Sequence, residues 1–266
     1  MAKQISFIKF TGRIGGVVGY KFNNEYLIRK QPDFSGIDRA NAPSYQHTRK
    51  LNAEFANSAK DSKLFRMAFI DVFDKIGCKN MHGKLNGKFL QMLKKDTVNE
   101  VGNRRAHHSD FSELHRMELA EKNAQFFNAF IGDIDFKMDE DTGIYKIRFG
   151  EVHFSKRLYT SKTTNSCRLM ASVAKIDFME EKYSVDFTYS EFLPLKKQSN
   201  SKVYKENEHA NFDLELKINP EVKGKLFAIL GIEYSSVVNG FRQLTYGHSG
   251  MVITNFSDGL LYSKPL

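Results

Sequence analysis

Phe212-Asp213-Leu214-Glu215-Leu216-Lys217-Ile218 alternates apolar and charged side chains without a break. Successive residues of a strand point to opposite faces, so this period places Phe212, Leu214, Leu216 and Ile218 on one buried face and the charges in water. Working outward, the stretches 144–154, 166–178, 183–192, 225–235, 241–246 and 251–256 read in a similar way. Seven short strands predict an antiparallel β-sandwich or partly closed barrel over 132–266. The polar segment 199–208 between them reads as a long exposed loop.

Before residue 132 the period is that of a helix. Leu64, Phe65, Ala68, Phe69, Val72, Phe73 and Ile76 follow the spacing of a helix packed into a core, and Gly77 is its natural stop. Leu51, Phe55 and Ala59 recur at intervals of four behind Ser44, a candidate N-cap after Pro43, and mark one helical face. Phe55, Leu64, Phe65, Phe69 and Phe73 are therefore expected in the core. Phe89, Leu90 and Leu93 ahead of Lys94-Lys95 predict a short helix with cations near its C-terminus. A further helix is expected over 110–130.

The first 31 residues read as β-structure. A strand is expected over 5–10, and two more over 17–22 and 25–30, joined by a two-residue turn at Asn23-Asn24. That turn sets Tyr20 opposite Leu27 and Phe22 opposite Glu25, with Val18 on the same face. Residues 32–43 form a connector. The chain is thus expected to be α+β, with a β-hairpin arm and connector (1–43), a helical region (44–131) and a β-sandwich domain (132–266).

Charge follows the same division. Of 40 Lys and Arg against 31 Asp and Glu, residues 1–131 hold 22 against 13, while 132–266 hold 18 against 18. All excess positive charge lies in the first half, which suits an acidic partner, either nucleic acid or an anionic protein face. Lys9, Arg13, Lys21, Arg29 and Lys30 interleave with Tyr20, Phe22 and Tyr26, a mixture able to grip phosphates and stack bases, or to dock on protein. These eight residues are the candidate interaction site.

Other constellations lack the spacing that chemistry requires. Gly12, Gly15, Gly16 and Gly19 lead into a hairpin and are not followed by Gly-Lys-Ser/Thr, so they read as a bulged turn rather than a phosphate loop. His107, His108, Asp110, Glu113 and His115 have no H-E-x-x-H spacing and read as a solvated helix start. Asp133, Asp135, Asp139, Glu140 and Asp141 precede Gly143 and read as a turn, not a calcium loop. Cys78 and Cys167 are expected to be reduced structural thiols. No cofactor, metal or catalytic residue is expected.

Thr11-Gly12-Arg13-Ile14-Gly15-Gly16-Val17-Val18-Gly19-Tyr20, Tyr26-Leu27-Ile28-Arg29, the run from Thr48-Arg49 through Leu64-Phe65-Arg66-Met67-Ala68-Phe69, and Phe227-Ala228-Ile229-Leu230-Gly231-Ile232-Glu233-Tyr234 followed by Val238-Asn239-Gly240 carry a resemblance. They resemble a group of uncharacterised bacterial proteins with a glycine-punctuated hairpin, a helical middle and a β-rich C-terminal domain. The resemblance implies that architecture and no activity.

The sequence has no run of 18 or more apolar residues and no secretory pattern at its start, so no membrane span and cytoplasmic synthesis are expected. The leading expectation is a non-enzymatic structural or assembly protein, self-associating or bound to a protein partner, by analogy a component of a virion or other particle. The alternative is a nucleic-acid-binding protein that uses the basic first half.

Overall fold

The computed structural model describes residues 2–31, 40–77, 80–119, 125–150, 153–154, 164–195, 212–244, 249–253 and 259–262. The expected connector at 32–39, Cys78 and the expected loop 199–208 lie outside them. Contacts divide the chain into two compact units, Met1–Leu51 and Asn52–Leu266.

The first unit holds four short antiparallel strands, β1 (Ala2–Lys3), β2 (Gly12–Ile14), β3 (Val17–Phe22) and β4 (Glu25–Lys30), in the order β1-β4-β3-β2. Asn23 and Asn24 take positive φ of 46° and 66°, as a tight two-residue hairpin turn demands. The register pairs Tyr20 with Leu27 and Phe22 with Glu25, as expected. Ile14 pairs with Val17, so Gly15-Gly16 is a second two-residue turn; the bulge expected there is absent from this ladder. Residues 5–10 are not the expected strand, because the Ser6 hydroxyl accepts from Ile8 N at 3.1 Å and folds the chain back. Pro43–Tyr45 is a 3-10 turn, so Ser44 lies inside it rather than capping the helix that follows.

That helix, α1 (Gln46–Ala68), runs into α2 (Ile70–Ile76), which Gly77 closes in the left-handed conformation at φ 68°. Asn80 then leads into α3 (Met81–Lys95), which ends on Lys94 and Lys95. The helix expected over 110–130 does not form. Arg116 has φ 58°, and the chain after it runs extended beside a distant strand: Arg116 N donates to Val252 O at 2.7 Å and Leu119 N to Gly250 O at 2.8 Å. Long-range pairing overrides the local helical pattern, leaving a 3-10 turn at Phe111–Leu114 and the single turn α4 (Phe126–Ala129).

Among the described residues after α4 the second unit is antiparallel β. Its strands are β5 (Phe130–Ile131), β6 (Ile134–Asp139), β7 (Ile144–Phe149), β8 (His153–Phe154), β9 (Ser166–Asp177), β10 (Lys182–Tyr189), β11 (Leu193–Pro194), β12 (Phe212–Lys217), β13 (Lys225–Val238), β14 (Phe241–Leu244), β15 (Ser249–Ile253) and β16 (Gly259–Tyr262). One sheet runs β10-β9-β13-β14, with β11 and β15 added at its sides, and a second runs β12-β7-β6-β16. They enclose a core of Phe136, Tyr145, Ile147 and Phe149 against Leu169, Ala171, Val173, Leu230 and Ile232, with Leu214 and Leu216 alternating inward from β12. The sheets curl towards closure where β10 meets β12: Lys217 N donates to the Asp186 carboxylate at 2.7 Å and Asn219 N to Ser184 Oγ at 2.8 Å.

The other face of the β9–β13 sheet carries Met170, Ala174, Ile176, Phe227 and Ile229, and the helices cover it with Phe65, Phe69, Val72, Leu85 and Phe89. Phe65 meets Phe227 edge-on at 5.2 Å, a favourable aromatic geometry. The division expected at 131/132 follows the change of sequence period, whereas the helices and sheets on either side of it share this core. Among the described residues no helix is long and apolar enough to cross a membrane.

Phe55 does not join the core; it is 55% exposed, whereas Phe65 and Phe69 are buried and Leu64 and Phe73 lie at the edge. The cause is the polar inner face of α1. Asp61 accepts from Arg105 Nη2 at 2.9 Å and from Ala106 N at 2.8 Å, Glu54 pairs with Arg104 at 3.3 Å, and Ser62 bonds Asn86. Binding the carboxylates inward turns Leu51 and Phe55 outward. Truncating Phe65 to Ala should cost about 3–5 kcal/mol in chemical denaturation. Phe55→Ala should stay within about 0.5 kcal/mol of the parent.

Candidate functional site

Strand alternation sorts seven of the eight candidate residues onto two faces; Lys9 lies in the loop before β2. Arg13 pairs with Val18 and Val18 with Arg29, so Arg13, Tyr20, Phe22 and Arg29 lie on one face with Leu27 and Lys3. Lys21, Tyr26 and Lys30 lie on the other. Sequence spacing placed all eight in one group; the register shows that no single flat ligand can touch them all.

On the first face Arg29 stands over the Tyr20 ring at 5.6 Å, and Lys3 pairs with Glu25. Aromatic rings, aliphatic side chains and guanidinium groups alternate there with little cover. On the second face Tyr26 receives two ammonium groups, Lys9 at 5.3 Å and Lys21 at 5.6 Å from its ring centre. Among the described residues no carboxylate pairs with either cation, so their charge remains available to an anionic partner.

The loop 5–10 is held by Gln4, one of two buried residues among those described in the sheet. Its backbone N–H donates to Tyr26 O at 2.8 Å, its side-chain amide donates to Phe10 O at 3.0 Å and to Leu27 O at 3.2 Å, and its Oε1 accepts from Phe10 N at 2.9 Å. The other buried residue is Gly19. A Cβ there would lie 2.6 Å from Phe10 O and would also strike the Phe10 ring, so glycine lets Phe10 close onto the sheet. Pinned at both ends, the loop projects Ile5 (90% exposed), Phe7 (95%) and Ile8 (68%) into solvent; Ile14 and Phe22, on opposite faces of the sheet, are exposed as well. Sequence reading missed this finger by taking 5–10 for a strand. The signal available was Gln4 and Ser6, two polar residues able to bond the local backbone.

The remaining constellations are structural. Asp110 caps the 3-10 turn at Phe111–Leu114, accepting from Ser112 N at 3.0 Å, and Glu113 pairs with Lys88 at 3.1 Å and with Lys95. Among the described residues no group of three or more His, Cys, Asp or Glu is arranged to hold a metal. Asp139 Oδ1 accepts from Thr142 N at 3.2 Å and shapes the β6–β7 turn. Cys167 is buried, which pushes its thiol far up and leaves it a poor nucleophile.

Two predictions follow from this geometry. Gly19→Ala should lift Phe10 from the sheet and open the loop, read as faster tryptic cleavage after Lys9 with little change elsewhere in the digest. The second concerns His107 and His115, both held below the ordinary value of 6.5, chiefly by burial and then by neighbouring cationic groups. The unfolded chain takes up these protons first, so stability is fully present above pH 6.5 and declines as pH falls below it. Replacing His107 with Gln should flatten that decline in the denaturation midpoint. Comparison of the chain with protein-family models, curated proteins and solved structures gives no match.

Proposed function

We propose that this chain is a structural assembly protein whose N-terminal sheet docks on a protein surface, supplied by copies of itself or by another component of a particle such as a virion. The observation that carries the reading is the pinned finger with Ile5, Phe7 and Ile8 exposed. A four-stranded sheet with only Gln4 and Gly19 buried gains little from its own packing, and a covered apolar surface is what such a small sheet needs. Aliphatic Ile5, Ile8 and Ile14 cannot stack on bases, whereas they fill apolar pockets on protein. Lys9 in the loop, with Lys21 and Lys30 on the face of Tyr26, favours an acidic rim around such a pocket. The β-sandwich-like domain in the same chain fits the particle reading by analogy.

A second reading, nucleic-acid binding, is favoured by one observation: Arg13, Tyr20, Phe22 and Arg29 share a face. Sedimentation and light scattering of the full chain separate the two. Under the assembly reading the protein associates with rising concentration, and Ile5→Ser/Phe7→Ser/Ile8→Ser returns it to monomer with the unfolding midpoint unchanged. Under the second reading the full chain binds a single-stranded oligonucleotide with strong salt dependence, and Tyr20→Ala costs about 1–3 kcal/mol of that binding.

A further inference from the structure

On the outward side of α1, Phe55, Ala59, Lys63 and Met67 follow one i, i+4 row. Phe55, Lys63 and Met67 are exposed and Ala59 is half-buried. Such a row is the ridge that packs into the groove of another helix, and a small residue at its centre lets two backbones approach closely. Up to Ser62 this helix is inverted relative to an ordinary surface helix: its buried face bears Glu54, Ser58, Asp61 and Ser62 before Phe65 and Ala68 return it to an apolar core, while Phe55 and Met67 face water.

From this inversion we infer that α1 is a second docking surface, and that its occupant is an amphipathic protein helix carrying carboxylates beside its apolar ridge. Charge selects the occupant. Both acidic residues of α1 are turned inward and bound, Glu54 to Arg104 and Asp61 to Arg105. The outward flanks carry Lys60, Lys63 and Arg66, and of these only Lys60 has an ion-pair partner among the described residues, Glu181. Among the described residues the buried Nε of Arg66 has no acceptor. Pairing α1 with α1 of a second copy would bring like charges together, so self-docking through this helix is disfavoured. A lipid surface takes a broad apolar face, whereas this ridge is one side chain wide and interrupted by Lys63.

The test uses the full chain and two synthetic helical peptides with the same leucine row, one flanked by glutamates and the other by lysines. The glutamate peptide should bind and the lysine peptide should not. Phe55→Gln should weaken binding by roughly tenfold or more without moving the unfolding midpoint, because Phe55 lies outside the core. Lys63→Glu should weaken the glutamate peptide and admit the lysine peptide. The inference is overturned if neither peptide binds, if both bind alike, or if binding ignores Phe55→Gln. It is equally overturned if Phe55→Gln acts instead by dissolving a homodimer, by releasing the chain from anionic vesicles, or by abolishing binding to single-stranded DNA.

Discussion

The pairing of β9 with β13 is the constraint on which the second unit depends. The ladder runs without a register shift from Ile176 opposite Lys225 to Ser166 opposite Ser235. Both faces of this strand pair are apolar over most of its length, so each must be covered. Leu169, Ala171, Leu230 and Ile232 take the second sheet, and Met170, Ala174, Phe227 and Ile229 take the helices. Because burial of apolar area is the main favourable term in folding, the same strand pair ties helices and sheets into one cooperative body.

Within that body, α1 is placed by polar as well as apolar contacts. Phe65 and Ala68 anchor its C-terminal half, while Asp61 and Glu54 draw the segment around Arg104 and Arg105 onto its N-terminal half. Buried ion pairs offset their desolvation only when their remaining groups are also bonded. Asp61 meets this condition by accepting from both Arg105 and the Ala106 amide, and Arg105 adds a bond to Phe178 O at 3.1 Å. This geometry fixes the rotation of the helix about its axis. The exposed pair of Arg148 and Asp213 on the second sheet, open to water, exerts no comparable control.

The N-terminal sheet obeys another logic. Its order comes from hydrogen bonds and turn residues: the Asn23-Asn24 and Gly15-Gly16 turns, the Gln4 anchor, and Phe10 closing on Gly19. Local order without a deep core leaves Ile5, Phe7 and Ile8 exposed, and Phe55 and Met67 are exposed on α1.

Most of the α+β fold was legible in the sequence because it follows from local rules. Strict alternation put Leu214 and Leu216 inward, Asn23-Asn24 set the hairpin register, Gly77 stopped its helix, and the Phe65–Phe69–Val72–Ile76 spacing marked the buried side of α1 and α2. Tertiary structure decided what local rules cannot see. It pulled 116–119 out of a helix to pair with β15, turned Phe55 to solvent because Asp61 and Glu54 needed Arg105 and Arg104, and divided seven interleaved side chains between two faces of a sheet. In each case the deciding partner lies tens of residues away or on the opposite face of a strand. Sequence period reports which side chains prefer burial, whereas long-range hydrogen bonds and ion pairs determine which side of an element is buried.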